Sequence, residues 1–584
     1  MFNKSKIVSC IEGAVVHEVI APYLTGTDKL NDDFLIQRLS MFSYSIQAII
    51  LKNGFDQKTV KERNIYIRKS TDDLYALLPK KLSHLFFSHD NNIQTLAKEC
   101  STYCRKVIID PQNETFLTLQ HDKTVNGKNR TNKGDIRTNP LSKNSVNEKS
   151  RSLNSVNGIS TLYKNFTQEE RSFVYEYLAR YVTTFNIEPP KSTNIIKVSG
   201  CLKRLADNRW WLRRIRTMIN QANEKAAILL NLVNSKKQIY SSDITTKNRL
   251  TQIARNEQLL SSHYIINDEG QRFSLKEISD MNVSNPEVKK AELINRCRGF
   301  EDLSEEFGHD GLFVTITCPS KFHRAYSKSG AKNPKWDGSM PDEAQRYLNK
   351  VWSRIRAELK RKNISIYGFR VVEPQHDGTP HWHCLFFTEP TSLKNLEQII
   401  RLYSLQEDGD EKGALENRCD FKKVDPKKNA TGYIMKYIVK NIDGKGLVKD
   451  KFGNDSITTA IRINAWASCW CIRQFQQIGG ASVSVWRELR RLKASIFPDS
   501  ILEKARVAAD TSNWNGYIKA MGGIFTPTRN HPIKLHYDVN INFDTGECSQ
   551  SYYDGELVTK VKGLIFEGKA FITRTMSWRL QRVL

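Results

Sequence analysis

The stretch "HWHCLFF" places His381 and His383 two residues apart. If it is a strand, its period of two sends both imidazoles to one face and Trp382 and Cys384 to the other. Two imidazoles on one pleated face can share a metal ion. Upstream, "YGFRVVE" and "PQHDGTP" read as a first strand and a loop turning about Asp377. Glu373 and His381 are then equally far from the turn, and cross-strand neighbours share a face, so Glu373 becomes the third candidate ligand. His376 and Gln375, in the loop itself, are alternatives for that place or for a contact to DNA. A His, His, Glu set with open positions suits a divalent ion that also holds a phosphate oxygen. Mg²⁺ or Mn²⁺ fits best, and zinc stays open.

A second group follows in "TGYIMKYIVKN", where Tyr433 and Tyr437 lie one helical turn apart. Lys436 and Lys440 each come three residues after one of them. A free phenol has a pKa of about 10 and is a poor nucleophile at neutral pH without assistance. A nearby divalent ion that polarises a phosphoryl oxygen changes that balance and leaves a tyrosine to attack phosphorus in line. The lysines are candidates to lower the phenol pKa or to hold phosphates. For an isolated Tyr-x-x-x-Tyr, an amphipathic helix with two wet hydroxyls is the simpler reading.

These groups need a framework. "GLFVTITCPS" alternates like a strand, "MPDEAQRYLNKVWSRIRAELKRK" like an amphipathic helix, and "CDFKKV" like a further strand before the tyrosine helix. Strand, helix, hairpin, strand, helix makes an α+β unit. Asn441 and Gly444 are the expected helix stop. Toward the N-terminus, "FLIQRLSMFSYSIQAIILKNG" reads as helical with a glycine stop, and Thr167 to Glu170 has the form of a capping box. Trp210 and Trp211 among Arg209, Arg213, Arg214 and Arg216 read equally well as a base-stacking platform or as core residues under a solvated arginine face. Cys100 and Cys104 could share a helix face, and read as ordinary thiols. The far C-terminal segment alternates like a small β region.

The chain has 584 residues, which suggests several domains, and 89 Lys plus Arg against 63 Asp plus Glu, a net charge of +26. Such a balance favours a polyanionic partner, nucleic acid above all. No run of about 18 apolar residues is present, so no membrane span is expected, and eleven scattered cysteines suit reduced thiols in a cytoplasm. No G-x-x-x-x-G-K-[ST] phosphate loop occurs.

"FVTITCPS", "EPQHDGTPHWH" and "ATGYIMKYIVKNIDG" together resemble the three ordered motifs of HUH (His-hydrophobic-His) endonucleases of the rolling-circle type. More closely, with "RWWLRRIR", "SNPEVKKAELINRCRGFE" and "WASCWCIRQFQQIGGASVSVWRELRRL", the chain is similar to the replication gene A initiators of temperate tailed phages over roughly residues 165 to 495. Gln375 departs from the pattern, standing where relatives often carry His. Conjugative relaxases usually place the tyrosine ahead of the histidines, the reverse of the order here.

The resemblance implies a central HUH nuclease domain with an antiparallel sheet flanked by helices; together with the helical patterning of the N-terminal regions and the small alternating C-terminal β-containing region, the expected fold is α+β. It implies a divalent ion, Mg²⁺ or Mn²⁺, on His381, His383 and Glu373, with Tyr433 and Tyr437 as nucleophiles, beside which Lys436 and Lys440 stay the supporting candidates that their spacing gives. One tyrosine would nick phage origin DNA, keeping a 5′-phosphotyrosine and freeing a 3′-OH for host polymerase, and the second would end the round. A host helicase would unwind, in the cytoplasm of the bacterial host. A plasmid mobilisation relaxase and a non-catalytic origin-binding protein are the alternatives. The expected division is an N-terminal helical region (1–118), a flexible basic linker (119–165), a helical candidate DNA-binding region (166–300), the nuclease domain (301–495) and a partly β C-terminal region (496–584).

Overall fold

A computed structural model describes residues 19–40, 42, 44–78, 82, 85, 90–109, 166–191, 198–424, 430–445, 453–493, 500–541 and 546–582. The segment read as a basic linker, 119–165, lies outside the described residues. The chain divides into two compact units, Met1–Asn223 with Gln550–Leu557, and Glu224–Ser549 with Val558–Leu584. Among the described residues no helix is long and apolar enough to cross a membrane.

The first unit is built of helices α1 (Lys29–Leu39), α2 (Tyr44–Phe55), α3 (Val60–Leu77), α4 (Asp90–Ile109), α5 (Gln168–Thr183) and α6 (Val198–Leu205), with the start of α7 (Asn208–Leu229). Thr167 and Glu170 form the reciprocal capping box that their spacing suggested. The apolar run after Phe34 is two helices rather than one, and Gly54 lies inside α2 instead of stopping it. A Cβ at Gly54 would come within 3.0 Å of the Ile67 side chain, so the residue serves close packing against α3. Trp210 and Trp211 are 4% and 0% exposed. The Trp211 indole donates to the Leu205 carbonyl at 2.8 Å and its ring packs edge-on against Tyr181 and Phe185. These tryptophans are core residues, which removes them as a stacking platform for bases. Cys100 and Cys104 are likewise buried.

The second unit carries a five-stranded sheet made of β3 (Asp310–Ile316), β4 (Tyr367–Pro374), β5 (Pro380–Thr388), β6 (Cys419–Val424) and β7 (Phe475–Ile478), in the order β6-β3-β5-β4-β7. Every pairing in it is antiparallel. Helix α8 (Asp243–Ser261) and two smaller sheets accompany it. One joins β1 (His263–Asn267) and β2 (Arg272–Ser274) to β11 (Trp578–Arg582), and the other joins β8 (Ile533–Val539), β9 (Thr559–Phe566) and β10 (Lys569–Ile572). The chain is thus α+β, with antiparallel sheets flanked by helices.

Strand alternation explains how the central sheet is covered. Leu312, Val314 and Ile316 of β3 share a face with Trp382, Cys384 and Phe386 of β5. That face packs on Leu348, Trp352, Ile355 and Leu359 of α10 (Pro341–Arg361) and on Leu396 and Ile400 of α11 (Leu393–Ser404). Phe313, Phe369, Val371, Leu385 and Phe387 turn to the opposite face. There they meet α9 (Pro286–Phe307), α12 (Ala430–Ile442), α14 (Val483–Leu489), α15 (Ile501–Asp510) and α16 (Trp514–Ala520), while α13 (Ser456–Cys469) adds Trp466 to the first face. Helix α12 docks through Ala430, Ile434 and Ile438, which recur every four residues and are each 0% exposed. Burying each isoleucine contributes about 1.5–3 kcal/mol, so the stripe is what fixes this helix on the sheet.

Candidate metal and tyrosine site

The hairpin that sets the site is fixed at its turn. Gln375 donates its N–H to the Thr379 carbonyl at 2.7 Å, and Gly378 donates to Gln375 at 2.9 Å. Gly378 has φ +86°, a conformation that favours glycine. Asp377 accepts from the Thr379 N–H at 3.1 Å, and the Trp466 indole of α13 donates to the Gly378 carbonyl at 2.8 Å. With the turn held in this way, the register follows, and Glu373 of β4 pairs directly with His381 of β5.

His381, His383 and Glu373 come together as a buried group, with ligand atoms all within 4.8 Å of one another. His383 Nε2 lies 2.9 Å from His381 Nε2 and 3.6 Å from Glu373 Oε2. On its other side, His383 Nδ1 is 3.1 Å from the hydroxyl of Thr315, its cross-strand partner on β3. With Nδ1 protonated and donating to that hydroxyl, Nε2 keeps its lone pair for the shared point, the usual second-layer arrangement of a metal-binding histidine. Two imidazole nitrogens and a carboxylate converging on one point fit a divalent cation. His376, the loop alternative, is outside this group: it is buried, with Nε2 2.9 Å from the Ala325 carbonyl.

Helix α12 closes over the group. The ring of Tyr437 stacks on His383, with centroids 3.7 Å apart and planes at 21°, and also on Phe313 at 5.6 Å. Tyr433, one turn earlier, is farther toward β6: its ring is 6.2 Å from Phe313 and carries the Lys422 ammonium over its face at 4.5 Å. Both tyrosines are half-buried. The two phenols therefore share a helix face and the same sheet surface, but only Tyr437 lies directly against a candidate ligand.

The lysines are placed differently from one another. Lys440 donates to Glu373 Oε2 at 3.1 Å, whereas Lys436 is exposed and sits over the Tyr437 ring at 4.8 Å. Burial pushes the Glu373 carboxyl up, but the Lys440 ammonium and then the two histidines outweigh it and hold the group well below the usual carboxylate range. For Tyr437, burial first and then the charges of Glu373 and Asp420 push the phenol up to about 12. The surroundings of Tyr437, burial above all, thus act opposite to the lowering sought from a neighbouring lysine, and Lys440 donates to Glu373 instead.

Several residues take a part at the site that their own sequence signal did not indicate. Asn441 lies inside α12 and is not its stop. Its side-chain amide donates to Glu373 Oε1 and to the Tyr437 carbonyl, and its oxygen accepts from Gln474 at 2.8 Å. The helix ends instead at Gly444, whose φ is +69° and whose N–H returns to the Val439 carbonyl. Thr315 was visible as an alternating strand residue, and its register opposite both His383 and Asp420 is what gives it a role. Gln474 precedes β7, and only the pairing of β7 with β4 brings it near Glu373.

A protein-family model described as bacteriophage replication gene A protein (GPA) matches residues 138–445. The chain is 37% identical over 417 residues to the replication gene A protein of Escherichia phage 186, an alignment covering 68% of this chain and 59% of that protein. It is 38% identical over 410 residues to the replication protein of Haemophilus phage HP1, covering 68% and 51%. A probable replication endonuclease from a prophage-like region of Salmonella typhimurium is 30% identical over 400 residues, covering 65% and 48%. The chain spans about half to three-fifths of the length of these curated relatives. No solved structure matches it. With the family model spanning more than half of its length, the chain belongs to the bacteriophage replication gene A protein family.

Proposed function

We propose that this chain is a phage replication initiator: a divalent-metal-dependent, site-specific endonuclease that nicks one strand of origin DNA by tyrosine transesterification and later rejoins strands. The observation that carries this reading is the stacking of Tyr437 on His383 of the buried Glu373, His381, His383 group. A phenol ring lying against a candidate ligand supports its role as the nucleophile toward a metal-held phosphate. The names of the relatives, replication gene A protein and probable replication endonuclease, agree with it.

His381, His383 and Glu373 would hold Mg²⁺ or Mn²⁺. When bound, the ion supplies polarisation of the scissile phosphate and offsets charge on the phosphoryl oxygens. The remaining work falls to the chain. The oxygen of one tyrosine attacks phosphorus, its proton passing to solvent. A tyrosine–phosphate bond forms as the bond from phosphorus to the 3′-oxygen breaks, and that oxygen takes up a proton as the free 3′-OH. Bond energy is kept in the phosphotyrosine ester, so no nucleotide is consumed in the chemistry. When the origin is regenerated, the second tyrosine repeats the cleavage and the freed 3′-OH attacks the first ester, closing a circle. Lys440 and Asn441 hold the Glu373 carboxylate, and Lys436 and Lys422 are cations beside the phenols for flanking phosphates. Origin DNA, a host helicase and a host polymerase are the partners in this scheme, which operates in the bacterial cytoplasm.

The test uses an origin oligonucleotide labelled on the 3′ side of the nick, with Mg²⁺ or Mn²⁺. Transfer of the label to protein on a denaturing gel, abolished in a Tyr433→Phe, Tyr437→Phe double variant, is the expected result. Absence of labelled protein, or an unchanged signal in the double variant, sinks the proposal.

A further inference from the structure

The face of the central sheet opposite the tyrosines contains a charge that its hydrophobic surroundings do not explain. Arg370 stands on β4, opposite Cys384 of β5 and Gln476 of β7, and is 4% exposed. Val372, on the same side of β4, belongs to an apolar core with Trp352, Trp382 and Phe386. The Arg370 guanidinium lies over the Trp382 ring at 3.9 Å, and its Nε is buried without a hydrogen-bond partner. A guanidinium normally enters such an interior only with a carboxylate or a phosphate to pair it.

Its charged neighbours are all of the same sign. Burial first brings the Arg370 pKa down to about 10, with the facing Cys384 thiol working against it and repulsion from Arg473 and Arg356 adding to it. Arg356, on α10, is exposed, and so is Arg473, in the link between α13 and β7, whose Nε donates to the Phe475 carbonyl at 3.1 Å. Among the described residues none of the three arginines forms an ion pair with a carboxylate, while many other arginines of the chain do, including Arg487 with Glu292 and Arg574 with Glu488. A planar fork braced on an aromatic ring, with two further guanidinium groups nearby and no acid among them, has the chemistry of a phosphate oxyanion site.

We propose that Arg370, Arg356 and Arg473 form a docking site for the phosphodiester backbone of single-stranded DNA, on the sheet face opposite the tyrosines and separate from the scissile phosphate. Trp382, whose ring braces Arg370, is the residue between His381 and His383. One strand thus presents the candidate metal ligands on one face and the brace of the arginine site on the other. Arg370 is here a binding residue and does not touch the reacting atoms. The inference rests on the nuclease reading for the choice of DNA as the source of phosphate, while the site itself stands on the three arginines and not on the tyrosine chemistry.

The test measures equilibrium binding of a fluorescein-labelled single-stranded oligonucleotide by anisotropy over a series of KCl concentrations. All proteins carry Tyr433→Phe and Tyr437→Phe, so that binding is read without chemistry. Arg356→Ala and Arg473→Ala alter exposed residues and leave the fold intact. Each is expected to weaken binding and to lower the slope of log K against log salt by about 0.7, the value for one lost contact to a single strand. Arg370→Met, which keeps bulk under Trp382, should weaken binding as well while leaving thermal stability equal or higher. Unchanged affinity and slope in the Arg356→Ala, Arg473→Ala double variant overturn the proposal. A second arm titrates inorganic phosphate and follows the melting temperature. A rise that depends on Arg370, with oligonucleotide binding untouched by all three substitutions, assigns the site to a small phosphate and overturns the DNA assignment. If the labelled-adduct experiment fails but the arginine variants still lower the salt slope, the nuclease reading falls and the docking site stands.

Discussion

Asn441 joins the tyrosine helix to the candidate metal group, and replacing it by alanine tests that coupling. The side chain is 1% exposed and makes three hydrogen bonds: to the Glu373 carboxylate, to the Tyr437 carbonyl and from the Gln474 amide. A bond to a charged group contributes about 1.5–3 kcal/mol and each neutral one about 0.5–1.5 kcal/mol, so the three together amount to about 2.5–6 kcal/mol. Lys440 still holds Glu373 in the variant, which places the expected loss in the lower half of that range, about 3 kcal/mol. Glu373 loses one of two restraints, and loss of such a supporting partner lowers metal affinity by about 10–100-fold. Chemical denaturation gives the first number, and calorimetric titration with Mn²⁺ gives the second. Gln474→Ala should reproduce part of both effects, and the double variant should cost less than the sum, because the two side chains belong to one network. An Asn441→Ala protein that binds Mn²⁺ as tightly as the parent, with unchanged adduct formation, would refute the idea that this network holds the ligand.

Other consequences follow from the same geometry. Each single tyrosine variant, Tyr433→Phe or Tyr437→Phe, should keep some cleavage of an origin oligonucleotide while losing circle closure; closure surviving in either shows that two nucleophiles are not required. In Tyr433→Phe, where Tyr437 acts alone, the neutral phenol predominates throughout the physiological range because burial pushes its pKa up to about 12. Adduct formation should therefore rise with pH between about 7 and 9.5, below the ordinary phenol range, and a plateau reached under about pH 8 contradicts this placement. Ile438→Ala removes a fully buried side chain that docks α12 on the sheet and should destabilise the second unit by about 2–5 kcal/mol in denaturant titrations. A change no larger than that of an exposed substitution argues against the docking.

What the sequence revealed and what it concealed divide along physical lines. The His-Trp-His alternation and the equal distances from the turn were enough to set Glu373 against His381, because strand period and hairpin register are local properties. The shared face of Tyr433 and Tyr437 was equally readable from helical spacing, while the docking stripe Ala430, Ile434, Ile438 emerged with the packing of the helix on the sheet. Partners that arrive from elsewhere were not. Gln474 reaches Asn441 only because β7, a short half-buried strand with the sequence "FQQI" and no apolar alternation, adds to the edge of the sheet. Asn441 had the composition of a helix stop, and its burial against Glu373 shows a different use for the same side chain. The Trp210 and Trp211 pair illustrates the reverse case, where a basic and aromatic composition suggests nucleic acid and tertiary packing turns both rings inward. Lys440 was visible as a cation near a phenol, but its choice of Glu373 over Tyr437 depends on how deeply the carboxylate is buried.

The central claim is that a tyrosine of α12 becomes covalently joined to DNA at the Glu373, His381, His383 group. Mass spectrometry of the trypsin- and nuclease-digested product of an origin oligonucleotide reaction with Mn²⁺ tests it most directly. A nucleotide mass on the peptide containing Tyr433 or on the separate peptide containing Tyr437, absent without the metal and absent in His381→Ala, His383→Ala protein, is the predicted result. Cleavage that leaves a free 5′-phosphate and no modified tyrosine, or a nucleotide attached to another residue, would contradict the account.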